Sequence, residues 1–371
     1  MFPSENCHQI IMLDIKFIRQ NPEKVKEACQ KKQVKCDINR LLDSDKKKNA
    51  ITKSLETISA QKNKASKEIA KAGSEKEKKN IIAEVKKLDE NAGKLNESLK
   101  DLQKEFTDLM LQIPNIPFDD VPVGKDDTEN VVAREIAASG EPRPAGRAAL
   151  KEASLAPSGR GDKPKFDFQP KDYLEIAEKL DLIDVKRAAK IAGTRFGFIK
   201  GDAALLEFAI INYTFTLLTK EGFIPVIPPV MIKYEMALGM GYVEQVGDEE
   251  AYYFPKDDLY LVGTSEQSIG SMHANEVLIE KDLPRRYAGF STCFRREAGS
   301  YGKDTKGIFR VHQFDKIEMF SFCHPEKSKE EHKFLLSIEE RLMQGLRLPY
   351  RVLNICTGDL GRPAAAKFDV E

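Results

Sequence analysis

Apolar residues recur every three or four positions along two consecutive stretches of the amino-terminal third of the chain. The first stretch runs from Ile51 to Ala72 and the second from Ile81 to Leu109, with a Gly-Ser pair between them. Alternating steps of four and three residues place these side chains along one side of a helix, which is the pattern of a coiled coil. Because the break is short, the two helices should run antiparallel. At 1.5 Å per residue, about 32 residues per helix predict an arm roughly 45–50 Å long.

Charge is distributed unevenly between the two predicted helices. Residues 46–72 hold eight lysines and two acidic residues, whereas residues 75–108 hold eight lysines and nine acidic residues. A lysine-rich stripe on one helix is what contact with an RNA backbone requires. The alternative is that these charges only keep a long helix in solution. Neither helix interleaves aromatic residues with its lysines, so the pattern favours recognition of shape or phosphate over base stacking.

Two segments of unusual composition follow the arm. Three prolines between residues 114 and 122 interrupt the helical pattern, so the second helix should end near Gln112. Residues 136–161 are rich in Ala, Pro, Gly and Ser without an apolar period, which predicts a disordered or surface loop. These features predict three regions: an arm at 12–113, a linker with the insertion at 114–165, and a second domain at 166–371.

The second domain mixes helical and strand patterns. Apolar residues between Leu205 and Leu218 have helical spacing and stop before Gly222. The sequence FIPVIPPVM at 223–231 follows as a strand, which its prolines confine to an edge or an interface. A Rossmann-type nucleotide fold is disfavoured, because the sequence contains neither GxGxxG after a strand nor a GxxxxGK[ST] loop.

A basic segment at 287–320 carries most of the information about function. Two short apolar runs flank a polar loop with three glycines, which is typical of two antiparallel strands joined by a long mobile loop. We expect Arg295 and Arg296 on the first strand and Arg310 on the second. From Arg285 to Arg310 there are seven basic residues and two acidic ones. Because the guanidinium fork pairs with phosphate through two hydrogen bonds, the segment favours a ligand with several phosphates. The alternative is an exposed hairpin with a solvated charged face.

Four motifs, in order along the chain, resemble the seryl-tRNA synthetases, a family of class II aminoacyl-tRNA synthetases. They are EGFIPVIPPVM at 221–231, similar to class II motif 1; LVGTSEQ at 261–267, similar to the family's serine-binding loop; CFRREAGSYGKDTKGIFRVHQF at 293–314, similar to motif 2; and RVLNICTGDLG at 351–361. The resemblance covers roughly residues 12–135 and 162–371. It implies an α+β fold, in which an antiparallel coiled-coil arm precedes an antiparallel β-sheet catalytic domain with flanking helices.

The resemblance also implies a reaction. Seryl-tRNA synthetases activate L-serine with ATP and Mg²⁺ and transfer it to tRNA(Ser), and also to tRNA(Sec). Arg295 would bridge the α-phosphate and the amino-acid carboxylate, Arg310 would hold the γ-phosphate, and Glu297 would accept from the adenine amino group. No side chain needs to attack, because the substrate carboxylate is the nucleophile. The implied catalytic residues are Arg295, Glu297 and Arg310. The implied ATP contacts are Arg295, Arg296, Glu297, Arg310, Val311 and Phe314, the last through its ring face.

Serine selection needs an anion for the ammonium group and a partner for the small hydroxyl. Glu318 lies four residues beyond Phe314, hence on the same face of the predicted strand, and resembles the family glutamate that contacts serine. Thr264 and Glu266 are expected to alternate onto one face, although Thr264 could instead cap a following helix. The implied serine contacts are Thr264, Ser265, Glu266, Arg295 and Glu318. No residue is assigned to a metal.

Composition bounds the compartment and the partners. Basic and acidic residues balance at 59 each, so any contact with RNA must come from local patches. The six cysteines form no CxxC pair, which favours free thiols in a reducing compartment. No apolar run approaches the length of a membrane span. Composition therefore favours a cytoplasmic protein, and the resemblance implies a homodimer that binds tRNA(Ser) through its arm.

The carboxyl-terminal end departs from the family pattern. The sequence stops at AAAKFDVE, before any match to class II motif 3. The expectation is a truncated gene product or fragment with impaired catalysis. The alternative function is a synthetase-like protein that binds tRNA without activating serine.

Overall fold

The computed structural model describes residues 13–71, 74–137, 167–243, 251–298 and 307–371. These residues divide into two compact units. The arm unit comprises residues 13–127 and 356–366, and the sheet unit comprises residues 128–355 and 367–371. The predicted surface loop at 136–161 falls, beyond residue 137, outside the described residues, as does the middle of the polar loop between the two apolar runs, at 299–306.

Four helices form most of the arm unit: α1 Ile15–Gln20, α2 Pro22–Lys31, α3 Ile38–Lys71 and α4 Glu75–Gln112. The predicted coiled coil is confirmed in α3 and α4, and α4 ends at Gln112 as the prolines predict. Arg40 pairs with Glu105 near the base, and Lys62 pairs with Asp89 further along. Because the partners approach the turn together along both helices, α3 and α4 are antiparallel.

The arm is most extensively buried at its base. Residues from all four helices pack there into one cluster, which includes Ile18, Val25, Leu41, Phe106 and Met110. Towards the turn, most predicted apolar positions are only half-buried, as at Leu55 and Leu95, although Ile58 is buried. Lys62, the one polar residue in the predicted apolar seam, is accommodated by its ion pair with Asp89. Beyond the base, the two helices therefore pack through a narrow apolar seam, whereas at the base all four helices form a hydrophobic core.

A short segment from the carboxyl-terminal region packs against the base of the arm. The ammonium group of Lys32 donates to the carbonyl oxygens of Gly361, Arg362 and Ala364 at 3.0, 3.0 and 2.6 Å. Burial lowers the pKa of Lys32 to about 8. The charge is tolerated because three carbonyl oxygens replace its water. The three regions predicted from the sequence are continuous along the chain, so they do not include this packing of residues 356–366 against the arm.

The sheet unit contains six α-helices and eleven strands among its described residues. The helices are α5 Tyr173–Lys179, α6 Val185–Ala192, α7 Asp202–Lys220, α8 Tyr234–Gly239, α9 Glu266–Ser271 and α10 Ser328–Gly345. The strands are β1 Val131–Ile136, β2 Ile183–Asp184, β3 Phe198–Ile199, β4 Ile224–Val226, β5 Met231–Lys233, β6 Tyr253–Phe254, β7 Leu259–Leu261, β8 Arg285–Phe294, β9 Gln313–Phe322, β10 Tyr350–Asn354 and β11 Phe368–Val370.

The strands form four small sheets with the orders β1-β10-β11, β2-β3, β4-β8-β9 and β5-β7-β6. Strand pairing is antiparallel throughout these sheets except between β4 and β8, which are parallel. The predicted helix is confirmed as α7, but the predicted strand at 223–231 is present only as the edge strand β4, and Met231 begins β5 of another sheet. The mixture of helices and mainly antiparallel strands is the α+β class that the sequence predicts.

The long hairpin of β8 and β9 is covered on both faces. On one face, Ala288 packs with Leu218 of α7 and Ile338 of α10. On the other face, α9 approaches so closely that a Cβ on Gly289 would lie 2.2 Å from Ile269 Cδ1. Gly289 pairs with Glu318, so these two residues share a face. Glu318 is therefore presented on the face that α9 covers.

No helix within the described part of the chain combines the length and the apolar character needed to cross a bilayer.

Candidate active site

The predicted hairpin exists, but its arginines are not on its strands. Strand β8 ends at Phe294 and β9 begins at Gln313, so Arg295 and Arg296 follow the first strand and Arg310 precedes the second. The ladder stops here because the His312 amide donates to the Arg195 carbonyl oxygen, at 3.0 Å, and Glu297 turns the chain with a φ of 54°. The expectation that residues 307–312 belong to a strand is wrong. The three guanidinium groups lie at one end of the hairpin.

The TSEQ segment is not a strand, so the expected alternation of Thr264 and Glu266 is also wrong. Thr264 lies one residue before Ser265, the N-cap residue of α9, and its hydroxyl accepts from the Glu266 amide at 3.3 Å, which is close to the capping alternative. The same hydroxyl donates to Glu318 Oε2 at 2.6 Å. Thr264 therefore serves the helix start and the predicted serine site together. Chain geometry at a helix start, and not a strand period, brings Thr264, Glu266 and Glu318 into one site.

Two carboxylates and one ammonium group form the centre of this site. Lys316 pairs with Glu318, and its ammonium group also donates to Thr264 Oγ1 at 3.2 Å. The Glu266 carboxylate accepts from the Tyr242 hydroxyl. Burial raises the pKa of Glu266, while the Tyr242 hydrogen bond and the charge on Lys316 lower it. The arrangement offers concentrated negative charge to a small cation.

Ser265 has a different environment from its neighbours in the segment. Its side chain is completely buried, and its hydroxyl donates to the Gly289 carbonyl oxygen at 3.2 Å. This contact fixes the start of α9 to the centre of β8. Ser265 thus holds the scaffold on which Thr264 and Glu266 are mounted.

Arg295 lies between the serine side and the arginine cluster. Its Nε donates to the Gly263 carbonyl oxygen at 3.2 Å, next to Thr264. Its guanidinium carbon lies 5.1 Å from the centre of the Phe314 ring, a cation–π distance. One exposed cation therefore borders both the predicted amino-acid site and the ring predicted to receive adenine.

The remaining charged residues of the cluster are paired with protein groups. Arg310 donates to Glu297 Oε2 at 2.6 Å. Arg296 stands over the Tyr252 ring, with its guanidinium carbon 5.6 Å from the ring centre. Val311 is half-buried beside Arg310. A nucleotide that uses Arg310 and Glu297 as predicted must separate or share this pair.

Two histidines near the site, His312 and His273, are hydrogen-bonded to protein groups. His312 Nδ1 lies 2.9 Å from the Arg295 carbonyl oxygen, so it is the ring nitrogen that carries hydrogen. His273 lies between Glu276 and the Tyr287 hydroxyl, at 2.7 and 3.1 Å. Both therefore have structural partners.

Three groups near the site were missed by sequence reasoning. Lys316 shares a face with Phe314 and Glu318, so the period of two could have identified it. Tyr242 and Glu339 carry no comparable signal, since they reach the site from a loop and from α10. Glu339 lines a cavity of about 550 Å³ with Glu266, Lys316 and Glu318. Burial, together with the charges of Glu318 and Asp369, raises the pKa of Glu339 to about 7.

The chain resembles known proteins along almost its whole length. The model of the seryl-tRNA synthetase N-terminal domain matches residues 12–117, and that of the tRNA synthetase class II core domain (G, H, P, S and T) matches residues 252–371. The serine–tRNA ligase of Rubrobacter xylanophilus is 36% identical over 97% of this chain and 79% of its own length. The chain belongs to the seryl-tRNA synthetase family.

Other members of the seryl-tRNA synthetase family agree in sequence and fold. The serine–tRNA ligase of Dictyoglomus thermophilum is 38% identical over 97% of this chain and 80% of the relative. The structure of seryl-tRNA synthetase from Pyrococcus horikoshii complexed with ATP matches with a TM-score of 0.80 and 36% identity, covering 97% of this chain and 80% of that one. The cytoplasmic serine–tRNA ligase of Naegleria fowleri in complex with AMP matches with a TM-score of 0.75 and 31% identity, covering 98% and 78%. The resemblance drawn from the four motifs is confirmed.

Proposed function

We propose that this chain is a serine–tRNA ligase, which activates L-serine with ATP to seryl-adenylate and transfers the seryl group to tRNA(Ser). The observation that carries the proposal is the convergence of Thr264, Glu266 and Glu318 beside Arg295. The Thr264 hydroxyl bonds Glu318 across 54 residues of sequence, and Arg295 bonds the carbonyl of the residue before Thr264. A small polar pocket with excess negative charge next to a cation is what serine and its reacting carboxylate require.

Serine recognition follows from the chemistry of the pocket. The ammonium group of the substrate would pair with Glu318 and Glu266, replacing part of the present pairing with Lys316. The substrate hydroxyl would exchange hydrogen bonds with the Thr264 hydroxyl and its carboxylate partner. A site built to bond a hydroxyl discriminates strongly against an analogue that lacks it, because its polar groups are left unpaired. Alanine should therefore be rejected for want of the hydroxyl, and threonine for the size of its extra methyl group.

The activation step needs positioning and charge neutralisation more than proton transfer. A serine carboxylate oxygen attacks the α-phosphorus of ATP, and the bond from that phosphorus to the bridging oxygen breaks to release pyrophosphate. Arg295 would hold the carboxylate and the α-phosphate together, while Arg310 would take the γ-phosphate after leaving Glu297. Fixed cations placed where charge builds up are the largest contribution that a protein makes to such a step. No protein nucleophile is required.

The nucleotide would lie at the open end of the hairpin. Phe314 would offer a ring face to adenine, Glu297 would accept from the adenine amino group, and Arg296 and Val311 would border the phosphates and the base. The P. horikoshii relative was crystallised with ATP, which supports the use of ATP as a substrate.

Magnesium would enter the site with the nucleotide. Mg²⁺ is commonly bound through phosphates, water and few carboxylates, so we assign it to the phosphates of ATP. Bound there, it would neutralise phosphate charge. Within the described residues, no group of three or more His, Cys, Asp or Glu side chains is arranged to hold a metal.

The other partners are proposed from the surfaces of each unit. The lysines of α3 would contact the backbone of tRNA(Ser), because the family places tRNA recognition in this arm and the exposed lysines Lys53, Lys64 and Lys67 lie along it. Apolar residues of α7 and the following segment are unusually exposed, including Phe208 at 67% and Ile227 at 85%. Exposed apolar area of this kind marks an interface, so we propose a homodimer. We also propose a cytoplasmic location, because the described cysteines are free thiols, which fits a reducing compartment.

The test is amino-acid-dependent exchange of labelled pyrophosphate into ATP. We expect exchange with serine, and rates at least about tenfold lower with threonine or alanine at equal concentration, for the reasons given above. Exchange that is driven by a different amino acid would show that the pocket selects another substrate. Failure of every amino acid to drive exchange in the presence of Mg²⁺ and ATP would contradict the proposed activation of serine and would favour the alternative, a synthetase-like protein that binds tRNA without activating serine.

A further inference from the structure

Tyr242 reaches the amino-acid site from outside every motif that identifies the family. It follows α8 in a segment that begins with Gly241, whose φ of 77° turns the chain towards the sheet. The Tyr242 hydroxyl donates to Glu266 Oε2. The residue as a whole is 39% exposed, yet burial is the largest cause that raises the pKa of its phenol. Part of the ring is therefore exposed to solvent, while the hydroxyl is directed at the Glu266 carboxylate.

The position of the Tyr242 hydroxyl matters because the surroundings of Glu266 disfavour the ionised form of its carboxylate. Burial and the nearby charge of Glu318 on β9 both favour the protonated form of Glu266 and raise its pKa. Two groups oppose them, the Tyr242 hydroxyl and the Lys316 ammonium on β9. Lys316 is already engaged with Glu318 and with Thr264. Tyr242 is thus the donor that bonds the Glu266 carboxylate directly.

We propose that Tyr242 is a positioning residue of the amino-acid site: its hydroxyl holds Glu266 in place and keeps it ionised for the ammonium group of serine. This deepens the proposed function and rests on it, because the role assumes that Glu266 faces the substrate. A hydrogen bond from a neutral donor to a charged acceptor is among the stronger ones in proteins. Since serine carries its own positive charge, a protonated Glu266 would lose most of its attraction for it.

The inference is tested with Tyr242→Phe, which removes only the hydroxyl. Tyr253→Phe is the matched control, because the Tyr253 hydroxyl also donates to a carboxylate, Asp258, at 2.9 Å, outside the site. The titration of Glu266 is followed by NMR on the full chain labelled with ¹³C at the glutamate carboxyl, and the signal is assigned by its loss in Glu266→Gln. We expect the pKa of Glu266 to rise by about one unit or more in Tyr242→Phe, and to stay unchanged in Tyr253→Phe.

Serine binding gives the functional measurement. Because a raised pKa leaves less of Glu266 ionised at acidic pH, calorimetry should show weaker serine affinity in Tyr242→Phe, by up to about tenfold at the acidic end of the range, with the loss shrinking as pH rises. ATP affinity should change less than about twofold. A role in packing alone would shift both ligands at every pH and leave the Glu266 titration unchanged.

The outcomes separate this inference from the proposed function. If wild-type protein binds serine but Glu266 titrates alike in wild type and Tyr242→Phe, the positioning role of Tyr242 is overturned and the proposed function stands. If wild-type protein fails to bind serine at any pH, the proposed function is overturned together with the role given to Tyr242. A raised pKa with pH-dependent loss of serine affinity supports both.

Discussion

The two long helices of the arm and the polar site of the sheet unit are organised by opposite kinds of contact. In the arm, each apolar residue meets partners that repeat every three or four positions, and the half-buried seam beyond the base needs nothing else. In the sheet unit, the central hydrogen bond joins Thr264 to Glu318, and the supporting groups Tyr242 and Glu339 come from two further elements. Contacts that repeat along two helices are enough to build a long arm, whereas a recognition site requires groups that come together from distant parts of the chain. The arm should therefore tolerate changes that the site does not.

The largest expected effect on serine activation comes from removing one charge where Thr264, Glu266 and Glu318 meet. In Glu318→Gln the shape is kept, but the ammonium group of serine loses its anion and Lys316 loses its partner. Breaking one side of a part-buried charged pair commonly costs several kcal/mol, so we expect kcat/KM for serine in pyrophosphate exchange to fall by about a hundredfold or more. The matched control is Glu276→Gln, a carboxylate of the same unit that pairs with His273. A Glu318→Gln enzyme within about threefold of wild type would remove Glu318 from the site.

A smaller effect is expected on stability from Glu339. Its pKa in the folded protein is about 7, above the ordinary value of 4.5, so the folded state binds more protons than the unfolded state between these values. Stability contributed by this group is therefore present at low pH and is lost as pH rises through about 7. Glu339→Gln should stabilise the β8–β9 region by about 1–2 kcal/mol at about pH 8 and by nearly nothing at about pH 4.5.

Hydrogen exchange of the β8 and β9 amides measures the effect of Glu339→Gln, because it reports on the sheet unit separately from the arm. Equal protection of wild type and variant at both pH values would show that Glu339 is solvated and ionised in the folded protein. The charges that face Glu339 from other elements are Glu318, Lys316 and Asp369, and they are unchanged in the variant.

The smallest effect is expected on the arm surface. Replacing Lys53, Lys64 and Lys67 of α3 by Gln should lower the slope of log affinity for tRNA(Ser) against log salt by about 0.7–0.9 for each phosphate that these lysines neutralise. The control replaces Lys76, Lys78 and Lys79 of α4, where acidic residues are abundant, and should change the slope less. Equal salt slopes for the two triple variants would mean that tRNA binding does not depend on the difference in charge between α3 and α4.

The same contrast explains what could be predicted from the sequence. The period of three and four residues predicted α3, α4 and the end of α4 at Gln112, because helix contacts are local. The helical spacing of apolar residues predicted α7 for the same reason. The face shared by Phe314 and Glu318 was also predictable, since the side-chain period of a strand is two.

The errors fall where non-local contacts decide the backbone. Residues 307–312 have the apolar composition of a strand, but the Arg195 carbonyl takes the His312 amide and ends the ladder. TSEQ was interpreted with a strand period, although Thr264 stands at a helix start and reaches Glu318 from there. Neither Arg195 nor Tyr242 lies near these segments in sequence, so no local pattern could reveal them. The packing of residues 356–366 against Lys32 is unpredictable for the same reason.

The central claim is that the sheet unit activates serine while the arm serves only tRNA. The direct measurement uses a shortened arm, in which residues 56–94 are replaced by a Gly-rich turn, so that Phe106 and the rest of the buried base cluster remain. Pyrophosphate exchange with serine and charging of tRNA(Ser) are measured on the same preparation. The account predicts exchange within about twofold of the full chain and loss of at least about 99% of tRNA charging. Loss of serine-dependent exchange in the shortened protein, with its fold intact, would contradict the claim.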